Sequence, residues 1–208
     1  MIKVEQYAIG MLPTNVYAVY REGMTECAVI DPADQGEELC AYLKGEGLSV
    51  SGILLTHGHF DHIWGVEALR RASGAPVYAW EKERRLLLDP ALNESAGYAR
   101  PCTIAPDRFL TDGERITLAG IEFALLGTPG HTEGSCCYYV EEQGLLFSGD
   151  TLFQLSVGRT DLPTGSMSAL MRSLQEKLMP LPESTRVFPG HGPETDIGTE
   201  KKYNSCLL

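Results

Sequence analysis

Three runs rich in β-branched and aromatic residues open the chain, Lys3 to Ile9, Asn15 to Tyr20 and Glu26 to Ile30, and each predicts a strand. The acidic turn Asp31-Pro32-Ala33-Asp34 comes next, with Asp34 placed to cap a helix that runs to about Lys44 and ends at Gly45 and Gly47. Ser51 to Leu55 is an apolar run with the length of a buried strand. Helical spacing of apolar residues then covers Ile63 to Ala72 and stops at Ser73-Gly74. Pro76 to Trp80 predicts another short strand. Residues 81–110 are less regular: Glu81 to Leu88 has helical character, but Asp89-Pro90, Arg100-Pro101 and Ala105-Pro106 break the rest of the segment into loops. Strand signals return at Arg115 to Leu118 and Ile121 to Leu126. Ser135 to Val140 and Leu145 to Ser148 then form a hairpin about residues 141–144. A helix over Met167 to Met179 and a strand over Arg186 to Phe188 complete the pattern. Two runs of strands, each followed by helices, predict an α/β (α+β) layered sandwich with helices outside the sheets. No linker or repeat divides the 208 residues, so one domain over 1–208 is expected.

Composition narrows the partners. Hydrophobic residues make up 43% and charged residues 22%, as in ordinary globular proteins. A net charge of −11 disfavours nucleic acid and anionic membrane surfaces. The N-terminal residues lack a signal-peptide core, and no apolar stretch is long enough to span a bilayer. The six cysteines (Cys27, Cys40, Cys102, Cys136, Cys137 and Cys206) show no C-x-x-C spacing. They are expected as fillers in a reduced, cytoplasmic protein, not as ligands or disulfides.

The histidines carry the chemistry. Three of the five fall in His57-Gly58-His59-Phe60-Asp61-His62; the others are His131, in Thr-Pro-Gly-His-Thr, and His191, in Pro-Gly-His-Gly. Asp150 ends the apolar run that begins at Leu145. Singly these residues have plain uses: Asp61 could cap the following helix, His191 could be a satisfied histidine, and Asp150 could be a turn residue. Together they form a ligand set too rich for one tetrahedral ion and suited to two divalent ions sharing a bridging group. In extended chain the side chains at i and i+2 share a face, so His57 and His59 can reach one ion. His62, out of phase and beside Asp61, favours a second. Asp150 is the natural bridge. Zinc is the first expectation for a nitrogen-rich set, with iron and manganese compatible with the carboxylates.

These residues resemble the metallo-β-lactamase superfamily: an H-x-H-x-D-H segment, then His131, Asp150 and His191 in order. Within it, Gly149-Asp150-Thr151-Leu152-Phe153, Gly158-Arg159-Thr160-Asp161 and residues 189–195 (Pro-Gly-His-Gly-Pro-Glu-Thr) resemble the short glyoxalase II-type, or hydroxyacylglutathione hydrolase-like, branch. The resemblance implies a four-layer αβ/βα sandwich. It places one metal on His57, His59 and His131, a second on Asp61, His62 and His191, and Asp150 between them. It also implies a hydrolase acting on small acyl thioesters through a hydroxide held between the ions, with Asp61 orienting that hydroxide and accepting its proton. Best-known β-lactamases of the superfamily carry cysteine at the bridging position, so Asp150 is expected to disfavour antibiotic hydrolysis.

Arg159 and Asp161 are candidate substrate contacts, although pairing with each other to brace their loop is the stronger expectation. Residues 81–107 are a candidate wall or lid. Full-length glutathione thioesterases resemble this chain only up to their C-terminal helical extension, since 17 residues follow His191 here. Related rivals are a mononuclear-iron persulfide dioxygenase, which shares the Gly-Arg-Thr-Asp stretch, and a lactonase. A metal-binding protein without catalysis is the remaining alternative.

Overall fold

The computed structural model describes residues 1–207. The first half of the chain builds one six-stranded sheet, in sequence order: β1 (Ile2–Ile9), β2 (Thr14–Arg21), β3 (Glu26–Ile30), β4 (Ser49–Leu54), β5 (Val77–Trp80) and β6 (Arg108–Leu110). Its first three strands are antiparallel, and β3 to β6 run parallel. Parallel neighbours need crossovers, and helices supply them: α1 (Gly36–Gly45) joins β3 to β4, and α2 (Phe60–Ile63) with α3 (Val66–Ser73) joins β4 to β5. A short helix α4 (Arg84–Leu87) lies between β5 and β6.

The second sheet has the strand order Thr195–Asp196, Arg186–Pro189, Leu145–Gly149, Cys136–Val140, Ile121–Gly127 and Arg115–Leu118. Its members are β7 (Arg115–Leu118), β8 (Ile121–Gly127), β9 (Cys136–Val140), β10 (Leu145–Gly149), β13 (Arg186–Pro189) and β14 (Thr195–Asp196). A two-stranded ribbon of β11 (Leu152–Phe153) and β12 (Ser156–Val157) comes after β10. Helix α5 (Met167–Ser173) precedes β13, and α6 (Ile197–Tyr203) succeeds β14.

Period-two alternation assigns each strand residue to a layer. Tyr17, Val19, Ala28, Ile30 and Leu54 face inward and meet Phe123, Leu125, Tyr138 and Phe147 of the second sheet. Their outward neighbours, among them Val16, Ala18 and Val29, pack under Leu39 and Leu43 of α1 and Val66 and Leu69 of α3. On the far side Cys137, Tyr139 and Leu146 pack against Leu170 of α5 and Ile197 of α6. The expected four-layer αβ/βα sandwich is therefore what forms. All six cysteines are free, and Cys27, Cys136 and Cys137 are buried among these apolar layers, as fillers should be.

Three local expectations are corrected. Asp34 does not cap α1: the cap position is Gln35, in left-handed backbone at φ 51°, while the Asp34 carboxylate binds Arg100 at 2.7 Å. The helix expected from Ile63 is interrupted before Val66, where Gly65 lies against Gly36 so closely that a Cβ on Gly36 would stand 2.1 Å from the Gly65 carbonyl oxygen. The helix expected to reach Met179 widens after Ser173 into a π-helical turn, Leu174–Leu178.

Candidate metal centre

The candidate residues stand beyond the ends of β4, β8, β10 and β13. His57 and His59 follow β4 in extended chain, and α2 carries Asp61 and His62. His59 occupies the α2 cap position with no side-chain cap bond, and Asp61 lies inside the helix, so the plain capping role for Asp61 is excluded. His131 lies in the loop after β8, Asp150 directly after β10, and His191 just after β13.

The fold brings all seven together. In each of two trios, His57, His59 and His131, and Asp61, His62 and His191, one donor atom per residue lies within 4.8 Å of the others. His59 presents Nδ1 to His131 Nε2 at 2.9 Å, and His191 Nε2 stands 3.2 Å from Asp61 Oδ2. Asp150 lies between the trios. One carboxylate oxygen is 3.4 Å from His62 Nε2; the other is 3.6 Å from His131 Nε2 and 3.7 Å from His191 Nε2. Room for that carboxylate depends on Gly190, where a Cβ would sit 2.2 Å from Asp150 Oδ1 and 2.7 Å from the His62 ring.

Partners behind the rings decide which nitrogen faces inward. His57 Nδ1 is 3.1 Å from the Thr56 hydroxyl, His62 Nδ1 is 3.0 Å from Asp31 Oδ2, and His131 Nδ1 is 2.8 Å from the Arg159 carbonyl. Each Nε2 is thereby directed into the centre, an arrangement that fixes tautomers at metal sites. Asp31, His57 and His62 also cluster within metal-binding distance. The Asp31 oxygens, however, accept the Thr56 N–H at 2.8 Å and its hydroxyl at 2.5 Å as well as serving His62, so Asp31 acts from behind the ring.

The donor set fits divalent cations. Buried His57 Nε2, His62 Nε2 and Asp150 Oδ1 have no hydrogen-bond partner. Unpaired buried polar atoms carry a desolvation penalty that a bound ion removes. Burial, with the neighbouring imidazoles, pushes His57 well below the usual histidine range and His59 down to about 3, leaving neutral rings with free lone pairs. The other side attracts positive charge. Against its own burial, His62 is pushed well above the usual range by Asp61 and Asp150. Asp61 and Asp150, buried too, are held below the carboxylate range chiefly by His62.

Sequence reasoning does not reveal several supports. Thr14 donates to Asp61 Oδ2 at 3.1 Å. Asn15 fixes the His191 loop through its Nδ2, bonded to the carbonyls of Pro189 at 2.9 Å and Gly192 at 2.8 Å, and Tyr17 adds a hydroxyl bond to Pro189 at 2.7 Å. Nothing in the strand signal of Asn15 to Tyr20, or in Thr14 just before it, distinguishes them. In the sequence Asp31 reads only as part of an acidic turn.

A family model of the metallo-β-lactamase superfamily matches residues 9–191. The chain belongs to that superfamily. Among relatives, the probable metallo-hydrolase YqgX of Bacillus subtilis is 39% identical over 99% of this chain and 98% of its own length. Hydroxyacylglutathione hydrolase GloC of Haemophilus influenzae is 35% identical over 86% of each chain. Among solved structures, BLEG-1, described as a B3 metallo-β-lactamase, matches all of both chains with a TM-score of 0.92 and 44% identity. TTHA1623, solved in a di-iron-bound form, matches with a TM-score of 0.86 and 40% identity over 97% of this chain and 98% of its own. Membership supports a metal-dependent hydrolase with a centre able to hold two ions.

In this superfamily member the centre opens into a cleft of about 530 Å³. Phe60, Tyr98, Phe153 and Leu162 give it apolar walls; Glu94 and Arg159 are its charged members outside the centre. The Tyr98 ring packs tilted against Phe60, with centroids 4.2 Å apart, so residues 81–107 contribute a wall. Arg159 reaches Asp161 with two bonds, 2.7 and 2.8 Å long, and both side chains are exposed. Exposed pairs contribute little to stability. Arg159→Ala is therefore expected to leave the thermal unfolding midpoint unchanged, which a melting curve checks.

Proposed function

We propose that this chain hydrolyses small acyl thioesters, of the hydroxyacylglutathione kind, at a centre of two divalent cations. The position of Asp150 between the two trios carries this reading, because one carboxylate within reach of both is what a shared centre requires. The apolar cleft and the 35% identity to GloC support the thioester. His57, His59 and His131 would hold one ion, Asp61, His62 and His191 the other, with Asp150 common to both. Five imidazoles against two carboxylates favour zinc, while the di-iron relative makes iron the alternative. Bound ions of this type lower the pKa of a shared water and polarise an acyl oxygen.

The chain's own residues do the rest. Asp61, oriented by the Thr14 hydroxyl and close to His191, holds a carboxylate where a water proton must go. Phe60, Tyr98 and Phe153 shield one side of the acyl group from solvent. No serine or cysteine nucleophile is needed. No helix among the described residues is long and apolar enough to cross a membrane. We place the protein in the cytoplasm, acting on a diffusible substrate without nucleic-acid or membrane partners.

Thiol release from S-D-lactoylglutathione under anaerobic conditions tests the reading. Turnover that stops on chelation supports it. Oxygen uptake with glutathione persulfide and no thiol release would replace it with the dioxygenase. A second reading, lactam hydrolysis, is favoured by the identity to a protein described as a β-lactamase, against the expectation drawn from Asp150. A chromogenic cephalosporin assayed beside the thioester compares the two. Metal removal is also expected to destabilise the fold. At a thousandfold excess over Kd a bound ion contributes about 4 kcal/mol, so chelation should lower Tm by roughly 8–16 °C in a chain of this size. Calorimetry with and without chelator checks this.

A further inference from the structure

The turn after β5 holds a buried carboxylate that the proposed chemistry does not use. Glu83 is 1% exposed and forms no ion pair among the described residues. Its Oε1 accepts the Gly58 N–H at 2.8 Å, from the loop between His57 and His59. The Thr132 hydroxyl, one residue beyond His131, reaches its two oxygens at 3.0 and 2.9 Å. The Gly134 N–H lies close enough to favour its charged form. Both loops approach the same turn at distances that leave no room for side chains: a Cβ on Gly58 would stand 2.8 Å from Leu86 and Leu87, and one on Gly134 2.2 Å from the Glu83 nitrogen.

We infer that Glu83 is a positioning residue that sets the spacing of the His57–His59 loop against the His131 loop, and so selectively tunes the cation site on those three histidines. This rests on the two-cation reading above. Glu83 touches no histidine; it acts through Gly58 and Thr132. Groups of this kind behind metal ligands typically alter metal affinity about 10–100-fold. A carboxylate is needed because three donors converge on it from two loops. Glutamine keeps the shape but offers one accepting oxygen, and its amide would face an N–H with another N–H. Burial pushes Glu83 up to about 7 even though those donors pull the other way, so its desolvation is offset only by bonds to the two loops.

The test is metal affinity, which needs no substrate. Glu83→Gln and wild type are loaded with zinc and titrated against a chromophoric chelator. Glu200→Gln is the control: Glu200 is equally buried but bonds Leu155, Thr195 and Asn204, away from both loops. The expected result is two ions per wild-type chain, one of them weakened about 10–100-fold in Glu83→Gln, and both retained in Glu200→Gln. Thr132→Val, which removes one donor and keeps the carboxylate, should weaken the same ion in smaller measure, and it decides the matter if Glu83→Gln does not fold. Wild-type affinity in the Glu83 and Thr132 variants, or equal weakening of both ions in all variants, overturns the inference while leaving the two-cation reading intact. A wild-type chain that takes up no zinc contradicts that reading and this inference with it.

Discussion

Asp150→Ala is expected to reduce kcat/KM for thioester hydrolysis by about 10³-fold or more, equivalent to about 4 kcal/mol, and to lower bound metal. Asp150 approaches His62 on one side and His131 and His191 on the other, whereas Asp61 pairs with His62 and His191 among the described histidines. Removing the shared carboxylate therefore weakens both sites at once. Loss of a single preorganised electrostatic group already lowers rates about 10²–10³-fold. Asp150→Glu should not rescue, because the longer side chain moves the carboxylate from its place beside Gly190, where even a Cβ on that glycine would stand 2.2 Å from Oδ1. Steady-state kinetics and elemental analysis on each variant check this. A variant that keeps both ions and a tenth of the wild-type rate would show that Asp150 does not bridge.

The second large effect falls on Asp31, which contacts no candidate ion. Its carboxylate accepts the Thr56 N–H, the Thr56 hydroxyl and His62 Nδ1, all buried. Asp31→Ala strands these donors, at about 1–3 kcal/mol each when unsatisfied. It also places alanine at φ 48°, where asparagine and aspartate are better tolerated. A stability loss of about 3–5 kcal/mol is expected, as for other broken buried networks. Asp31→Asn separates folding from function. Asparagine suits the backbone and can still accept from Thr56, but its amide faces His62 Nδ1 as a donor. The ring then carries its proton on Nε2, and the lone pair that faces the centre is lost. Denaturant unfolding should show Asp31→Asn more stable than Asp31→Ala, while zinc titration shows it about 10–100-fold weaker than wild type at one ion. Equal metal affinity in Asp31→Asn and wild type would contradict this account of His62.

Much of the fold is legible in the sequence because the apolar, β-branched and aromatic runs of β2, β3 and β9, buried on both faces, mark strands that are covered by a layer on each side. The departures have non-local causes. Asp34 is drawn from its capping role by Arg100, 66 residues away, and α3 is shortened by its packing on Gly36 of α1. The seven candidate ligands are legible for a related reason: histidines and aspartates at the ends of apolar runs fit neither amphipathic period, so their polarity demands another explanation. Their supports leave no such trace. Thr14, Asp31 and Glu83 act on groups 47, 31 and 49 residues away respectively, at Asp61, His62 and Thr132. Their types are ordinary for turns and strand ends. Only the folded proximity of loops shows what they do.

Elemental analysis of protein purified without added metal, in parallel with anaerobic thiol release from S-D-lactoylglutathione, tests the central claim most directly. About two divalent ions per chain, with release that is lost on chelation and restored by zinc or iron, is the predicted result. A single iron per chain with no thiol release would contradict the two-cation thioester hydrolase.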